Sequence, residues 1–238
     1  MNQPTPSDYA LHLRWADLDT LNHVNNVRYV DYALEATGKL IDDGALPTDL
    51  TITRIAVDFL RPLMLSLKPV RISSVVSDGQ IVQEIRAEDE VFAKVVTDFG
   101  SLTMRFAEPH NGPVYPGQLR RSDLDGAGHV TPAKVFELVQ ESRILHFARL
   151  LKHHAAGHFV VAKLTVDYHR PITWRTEPLP IYSWISEVRT SSMMVGSQIS
   201  DGDELFATCG AVLVGFDMET QKSRMLSENE KEQLRAEI

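Results

Sequence analysis

The chain has 238 residues, of which 43% are hydrophobic and 24% are charged, a composition typical of a folded globular protein and not of a disordered one. The formal net charge of −8 argues against general binding to nucleic acid or to anionic lipid, because both depend on an excess of lysine and arginine.

The first predicted elements are a short strand at residues 12–15, a polar loop and a long helix. Asn25 lies shortly before the first helical apolar residue, so its side chain is suited to cap the helix. Capping uses one polar residue, whereas the loop contains several others: Asp17, Asp19, Asn22, His23 and Asn26. This surplus of polar residues predicts a second role for the loop.

The helix after Asn25 has apolar residues around much of its circumference, which is typical of a buried helix. Alternating apolar residues then predict a strand at 55–59, and further strands are expected at 70–77, 81–87 and 92–106. Asp78-Gly79 between two of them is a typical hairpin turn. One strand, one buried helix and an antiparallel meander wrapped on that helix give an α+β plan.

The second half of the chain repeats the first. RWADLDTLNHV at residues 14–24 returns as RRSDLDGAGHV at 120–130, and VDFLRPL at 57–63 returns as VDYHRPI at 166–172. The second half has a matching strand candidate at 118–121, a cap at Thr131 and a later hairpin turn at Asp201-Gly202. Its helix is also expected to be buried, because its apolar residues spread around the circumference: Val135, Phe136, Leu138, Val139, Leu145, Phe147, Leu150 and Leu151.

The Gly- and Pro-rich segment 107–117 separates the two copies and is expected to contain the domain boundary. We therefore predict a first domain at residues 1–110 and a second at 111–226. A polar helical tail, 227–238, follows, opened by a capping box of Ser227 and Glu230 and expected to be solvated.

The first turn of a helix carries main-chain N–H groups without internal partners, and these suit a developing oxyanion. Asp19 lies just upstream of such a turn and could act as a nucleophile or as a general base toward water. A thioester is a fitting substrate, because its thiolate leaving group needs little acid assistance.

DLDTLNHVNNVRY, followed by VDFLRP, resembles the hotdog-fold acyl-CoA thioesterases of the 4-hydroxybenzoyl-CoA thioesterase type. The resemblance covers nearly the whole chain as two tandem copies, and it implies a double hotdog that hydrolyses acyl-CoA without a cofactor. It assigns the catalytic carboxylate to Asp19 and the carbonyl-polarising N–H to Asn26. The counterparts in the second half are Asp125 and Pro132. Since proline has no amide hydrogen, we expect a complete site at Asp19 and a weakened or structural one at Asp125.

Five further residues are candidates for contact with the substrate. His23 is expected either to orient the loop or to act directly, and Asn25 and the repeat counterpart His129 are substrate-binding candidates. Arg61 and Arg170, in FLRP and YHRP, are candidates to contact CoA phosphates, although ion pairs with the neighbouring Asp58 or Asp167 are at least as plausible.

Other conspicuous residues have simpler interpretations. Glu35 and Glu141 are expected at exposed helix edges. The histidines at 153, 154 and 158 lack a recognised ligand pattern, so no metal is predicted. Cys209, the single cysteine, lies in an apolar strand and is interpreted as a buried structural thiol. A single cysteine forms no internal disulfide, and no secretion signal or membrane-spanning run is present, so a cytoplasmic location is expected.

The expected assembly is a pseudo-dimer within one chain, with acyl-CoA entering between the halves and further homo-oligomerisation left open. Two alternatives remain. Acyl-ACP thioesterases share a double hotdog and an HVNN-like segment, and docking of the carrier protein would need a basic patch. A noncatalytic acyl-thioester binding module would use both loops only as helix caps. A hotdog hydratase is disfavoured, since the chain has no D-x-N-P-x-H segment.

Overall fold

The computed structural model describes residues 7–110, 112–153, 159–217, 219–220 and 222–238. The chain divides into two compact units, of which the first ends at Leu102 and the second begins at Thr103. Each unit combines one antiparallel sheet with one long helix packed on it, which confirms the predicted α+β plan.

The elements of the first unit are β1 (Ser7–Leu11), α1 (Asn26–Asp42), β2 (Ile52–Phe59), β3 (Val70–Ser77), β4 (Gln80–Ala87) and β5 (Glu90–Phe99). The strands lie in the order β1-β3-β4-β5-β2, and all neighbours are antiparallel. Side chains on β4 alternate between the two faces, so that Ile81, Gln83 and Ile85 are fully buried. This face packs on α1 and forms the core of the unit.

The elements of the second unit are β6 (Val114–Gly117), α2 (Pro132–His153), β7 (Phe159–Tyr168), β8 (Leu179–Val188), β9 (Ser192–Asp201), β10 (Glu204–Asp217), β11 (Lys222–Ser223) and α3 (Glu228–Arg235). Its sheet has the order β7-β10-β9-β8-β6, and β11 pairs with β10. Apart from β11 and α3, each element has a counterpart at the same place in the first unit, as the sequence repeat predicts.

The two strands expected just before the polar loops are displaced. They were predicted at 12–15 and 118–121, but the structure has β1 and β6 immediately upstream of those positions. The strand ends there because an aspartate carboxylate accepts a hydrogen bond from a main-chain amide just beyond it. Arg14 N–H donates to Asp17 Oδ2 at 2.8 Å, and Arg120 N–H donates to Asp123 Oδ2 at 2.7 Å. Each bond closes a 3-10 turn.

Other boundaries were also predicted imperfectly. The strand expected at 92–106 ends at Phe99, and the next amide, that of Gly100, donates a hydrogen bond to the Thr51 carbonyl at 3.0 Å. In α2, Leu145 is 42% exposed, although its apolar neighbours around the helix predicted burial. Polar side chains take buried positions on that helix instead, including Arg143 and His146.

Residues 103–110 belong with the second unit, although the sequence assigned them to the first domain. The His169 Nδ1 donates to the Thr103 carbonyl at 3.2 Å, and the Ala107 amide donates to the Asp203 carbonyl at 3.1 Å. These bonds attach the segment to the second unit at and before the start of the Gly- and Pro-rich stretch.

Both predicted hairpin turns are confirmed, with Gly79 at φ +70° and Gly202 at φ +55°. The capping box of Ser227 and Glu230 also opens α3 as predicted. This helix is not a solvated tail, however, because Leu234 is buried and α3 contacts β8. No helix within the described part of the chain is both long enough and apolar enough to span a bilayer.

Candidate active site

The loop of the first unit folds around the Asp19 carboxylate. Oδ1 accepts hydrogen bonds from the Leu21 amide at 2.8 Å and the His23 amide at 3.1 Å, while the Asp19 amide donates to the His23 carbonyl at 2.7 Å. Asn22 takes the left-handed conformation, φ +58°, that closes this turn. Oδ2 has no hydrogen bond to any described residue, so one carboxylate oxygen is available to a substrate or water.

The start of α1 leaves one main-chain donor unused. The Asn25 side chain caps the helix as predicted, since its Oδ1 accepts from the Val27 amide at 3.0 Å. The Arg28 amide donates to the Asn25 carbonyl at 2.9 Å. The amide of Asn26, the first helical residue, makes no hydrogen bond within the described residues. It carries the partial positive charge of a helix N-terminus.

Asp17 holds the loop against the helix. The Asn25 amide donates to its carbonyl at 2.8 Å, and the Tyr32 hydroxyl donates to its Oδ2 at 2.8 Å. A further bond joins the Val24 amide to the Leu63 carbonyl at 2.8 Å, which fixes the end of the loop to the segment after β2. Asp17 is buried and its Oδ2 already accepts two hydrogen bonds, as suits a structural role.

Tyr29 on α1 is a neighbour of this loop that was not among the predicted site residues. Its hydroxyl accepts from the Leu63 amide at 3.3 Å, and its ring meets Phe59 edge-on at 5.3 Å. Burial raises the pKa of Tyr29 to about 12, and the nearby Asp19 carboxylate acts in the same direction. The sequence could have indicated this neighbour, because a tyrosine follows Asn26 by one helical turn.

The second unit builds the same loop from different residues. Asp125 Oδ1 accepts from the Ala127 and His129 amides, both at 2.9 Å, and the Asp125 amide donates to the His129 carbonyl at 2.7 Å. Gly128, with φ +83°, takes the place of Asn22. The two loops therefore share one hydrogen-bond pattern, but Asp125 is exposed whereas Asp19 is partly buried.

The two helix starts differ in their available donors. Pro132 is the first residue of α2 and has no amide hydrogen, and Thr131 Oγ1 accepts from the Lys134 amide at 3.3 Å. Among the first-turn amides of α2, that of Ala133 has no partner in the described residues, and Ala133 is itself buried. The donor that matches Asn26 is thus absent from the second unit.

The two arginines predicted to contact substrate make ion pairs with glutamates. Arg61 lies 3.8 Å from Glu90 and also donates to the Val91 carbonyl at 3.0 Å. Arg170 lies 3.4 Å from Glu204. Both arginines are therefore in ion pairs, but the carboxylates are those of Glu90 and Glu204, whereas the sequence analysis named Asp58 and Asp167.

Arg170 also lines a cavity of about 460 Å³ within the second unit. The lining includes Arg175, which pairs with Asp201 at 2.7 Å, together with apolar side chains such as Ile172 and Phe206. The Nε atoms of both arginines are buried and have no hydrogen-bond partner. The lining also contains Glu177 and Glu204, so the two guanidinium groups share this cavity with two carboxylates.

The remaining candidates are accounted for as follows. Glu35 is exposed and Glu141 is partly buried. His154 and His158 lie outside the described residues, as does the side chain of His153. Elsewhere, within the described ranges, no three His, Cys, Asp or Glu side chains come together as a metal site. Cys209 is buried, and burial raises the pKa of its thiol to about 12.

Both halves of the chain match a thioesterase family model. Residues 119–234 match the thioesterase-like superfamily, and residues 2–99 match the acyl-ACP thioesterase C-terminal domain. None of the curated proteins compared with the chain matches it. These matches support a thioester hydrolase and confirm the resemblance found in the loop and strand motifs.

Solved structures of similar fold extend along almost the whole chain. A protein from Lactobacillus plantarum, provisionally described as an oleoyl thioesterase, has a TM-score of 0.72 at 12% identity, covering 90% of this chain and 98% of its own. The 12:0-ACP thioesterase from Umbellularia californica has a TM-score of 0.64 at 10% identity, covering 88% and 94%. A hotdog-fold protein of unknown function from Alicyclobacillus acidocaldarius has a TM-score of 0.57 at 12% identity, and the match covers 90% of this chain and 96% of that protein. At these identities the likeness shows the fold, and it confirms the double hotdog.

Proposed function

Because both halves of this chain are hotdog domains that match thioesterase families, we propose that it hydrolyses the thioester of acyl-CoA to a free acid and CoA. The reaction is proposed to take place at the loop of the first unit. The observation that supports this proposal is that one short loop leads from a carboxylate oxygen of Asp19 to a helix N–H of Asn26, and that neither group is used by a described residue.

In the proposed reaction, the thioester carbonyl oxygen accepts a hydrogen bond from the Asn26 amide. The negative charge that develops on this oxygen is stabilised by the N–H and by the positive end of α1. Asp19 either removes a proton from an attacking water or attacks the carbonyl carbon itself. The C–S bond then breaks and the thiolate of CoA leaves, and in the second case water hydrolyses the resulting anhydride.

The neighbouring residues have supporting roles in this proposal. The backbone of His23 holds Asp19 in place, and its side chain is a candidate to contact the substrate. Asn25 leaves the Asn26 amide free because its side chain binds the Val27 amide instead. His129 has the equivalent position to His23 in the second loop.

The phosphates of CoA are proposed to bind near the predicted arginines. Arg170 has the stronger case, because it lines a cavity of about 460 Å³ together with Arg175. Arg61 is half exposed and can reach a ligand only by giving up part of its contact with Glu90.

The test compares Asp19→Asn with Asp125→Asn in an acyl-CoA hydrolysis assay that detects the released thiol. Asparagine keeps the side-chain oxygen that binds the two loop amides, so each variant loses a charge without losing its turn. We expect Asp19→Asn to lower kcat by at least about a hundredfold. We expect Asp125→Asn to retain activity close to that of the wild type, because the second unit lacks the matching amide.

Two outcomes would contradict this assignment. A loss confined to Asp125→Asn would move the active site to the second unit. Full activity in Asp19→Asn, with the variant folded, would remove the carboxylate from the mechanism. If the wild type and the two variants all lack turnover but bind acyl-CoA equally well, the chain is a binding module and the proposed activity is wrong.

Acyl-ACP is the second candidate substrate. It is favoured by the family match of residues 2–99 and by the similarity of the whole chain to the Umbellularia californica 12:0-ACP thioesterase. The net charge of −8 weighs against docking of an acidic carrier protein unless a local basic patch attracts it. Hydrolysis rates for one acyl group presented on CoA and on ACP, measured at the same concentration, distinguish the two carriers.

A further inference from the structure

Large apolar side chains are exposed in and beside the loop that contains Asp19. Among the described residues of the first unit, every exposed large apolar side chain except that of Val75 comes from this loop or from the segment after β2: Trp15, Leu21, Leu60, Met64, Leu65 and Leu67. The exposed fraction reaches 97% at Leu67. A single exposed leucine is common on a soluble protein, but a group of them is typical of a surface that binds an apolar partner.

Backbone contacts place the loop and the segment after β2 side by side. His23 and Met64 pair as an antiparallel bridge, and the His23 amide is one of the two that bind Asp19 Oδ1. The other is the amide of Leu21, at 2.8 Å. Leu21 and Met64 are therefore attached to the backbone that holds the carboxylate. We refer to four of the exposed side chains as the apolar rim: Leu21, Met64, Leu65 and Leu67.

The second unit has the same backbone arrangement with other side chains. His129 and Thr173 pair as the equivalent bridge, and Thr173 follows VDYHRPI as Met64 follows VDFLRPL. The sequence repeats place the following residues at the positions of the rim: Ala127, Thr173, Trp174 and Thr176. The one large apolar side chain among them, Trp174, has the Arg121 guanidinium 4.0 Å from its ring centre. The bridge itself thus does not require exposed apolar residues, and they belong to the unit with the proposed reaction.

An acyl chain is the apolar partner that this location favours. In a thioester the acyl chain is bonded to the same carbonyl carbon that Asp19 is proposed to act on, so its first carbons must lie close to the residues around that carboxylate. The pantetheine arm on the sulfur side contains amide groups, which lose hydrogen bonds to water on an apolar surface. A chain of methylene groups has no such cost and is stabilised by leaving water.

We propose that the apolar rim binds the acyl chain of the substrate, and that the substrate is an aliphatic thioester whose chain is long enough to contact several rim side chains. An acetyl group ends beside the carbonyl and gains little from the rim. This inference rests on the proposed reaction at Asp19 and adds to it the class of acyl group. It also assigns Leu21 and Met64 as residues that determine chain-length specificity.

Burial of methylene groups makes binding depend on chain length in a measurable way. Each methylene group that is fully removed from water strengthens binding by about fourfold. A surface that covers only one side of the chain gives a smaller factor for each group. From an ethyl to an octyl chain, we expect the partial gains to multiply to at least about tenfold.

The test is calorimetric titration of the full chain with S-ethyl-CoA and with S-octyl-CoA. These thioethers have no carbonyl group, so their binding does not depend on whether the chain hydrolyses acyl-CoA. The double variant Leu21→Ala with Met64→Thr gives the rim the side chains that the second unit has at the matching positions. Met225→Thr, at an exposed position of the second unit, is the matched control.

We expect the wild type and Met225→Thr to bind S-octyl-CoA at least about tenfold more tightly than S-ethyl-CoA. In the double variant this ratio should fall by at least about threefold, while S-ethyl-CoA binds as it does to the wild type. Both substitutions are at exposed positions, so the double variant should fold. Should it fail to fold, Leu67→Thr replaces it, with a fall in the same ratio expected.

Three results would overturn the proposal: no binding of either thioether, equal binding of the two by the wild type, or the same ratio in the wild type and the folded double variant. In each case, hydrolysis of octanoyl-CoA by the same preparation shows separately whether the proposed reaction takes place. Sedimentation of the same samples, with and without phosphatidylcholine vesicles, tests other partners. Loss of self-association or of vesicle binding in the double variant, at an unchanged ratio, would assign the rim to a second copy of the chain or to a lipid surface.

Discussion

The hydroxyl of Tyr32 donates a 2.8 Å hydrogen bond to Oδ2 of Asp17, and this contact ties the second turn of α1 to the loop that contains Asp19. Both residues are buried, and the same carboxylate oxygen also accepts from the Arg14 amide. Burial and the Asp17 carboxylate raise the pKa of Tyr32 well above its usual range, so the hydroxyl keeps its proton at any ordinary pH.

Tyr32→Phe is therefore expected to lower the free energy of unfolding by about 1–3 kcal/mol, because Asp17 loses a partner at a site that water does not readily reach. Urea unfolding measures the change. Tyr182→Phe is the control, since the Tyr182 hydroxyl makes no hydrogen bond to a described residue. Equal unfolding midpoints for Tyr32→Phe and the wild type would show that the contact does not stabilise the loop.

Cys209 is expected to be unreactive in the folded protein. With a thiol pKa of about 12, only about one part in ten thousand is thiolate at about pH 8, and the side chain is buried. A thiol-detecting dye should label the native protein slowly and label one thiol per chain at once in concentrated guanidinium, whereas Cys209→Ser should give no signal in either. Rapid stoichiometric labelling before unfolding would mean that the sulfur is accessible.

His146 should make stability depend on pH in a defined direction. Burial lowers the pKa of His146 from its ordinary 6.5 in the folded state, so below that pH the unfolded chain binds a proton more readily. Its contribution to stability is present above about pH 6.5 and is lost as the pH falls through the folded pKa.

Replacement by leucine, the residue at the matching position of α1, tests this dependence. Urea unfolding at about pH 8 and about pH 5 should show a smaller loss of stability in His146→Leu than in the wild type. His12→Leu, at an exposed position, should lose as much as the wild type. If His146→Leu and the wild type lose the same amount, His146 does not resist protonation in the folded protein.

The parts of the structure that were predictable from the sequence are those with local causes. The cap at Asn25, the turns at Gly79 and Gly202 and the capping box of α3 each depend on a few neighbouring residues, and each is confirmed. The internal repeat extended these predictions to the second half. It correctly placed Asp125 in a loop with the same hydrogen bonds as that of Asp19.

The features that were missed depend on contacts between distant residues. The strand before each loop ends where the carboxylate of Asp17 or Asp123 accepts a hydrogen bond from a main-chain amide. The spacing of apolar residues does not predict that hydrogen bond. Arg143 and His146 are buried because α2 packs on β8 and β9, whereas their residue types predict exposure. The sequence did contain a signal for their burial, because Arg143 and His146 of α2 align with Thr37 and Leu40 of α1.

The central claim is that the Asn26 amide stabilises the oxyanion, and Asn26→Pro tests it by removing that hydrogen. Proline suits the first position of a helix, as Pro132 shows in α2, and Asn25 at φ −60° and ψ 139° has the extended backbone that a residue before proline prefers. Asn26→Ala keeps the amide and controls for loss of the side chain.

The decisive measurement is kcat for acyl-thioester hydrolysis by these two variants and the wild type. We predict that Asn26→Pro is folded and loses about a hundredfold to a thousandfold in kcat, while Asn26→Ala stays close to the wild type. Wild-type kcat in folded Asn26→Pro, or an equal loss in both variants, would contradict the role of this amide.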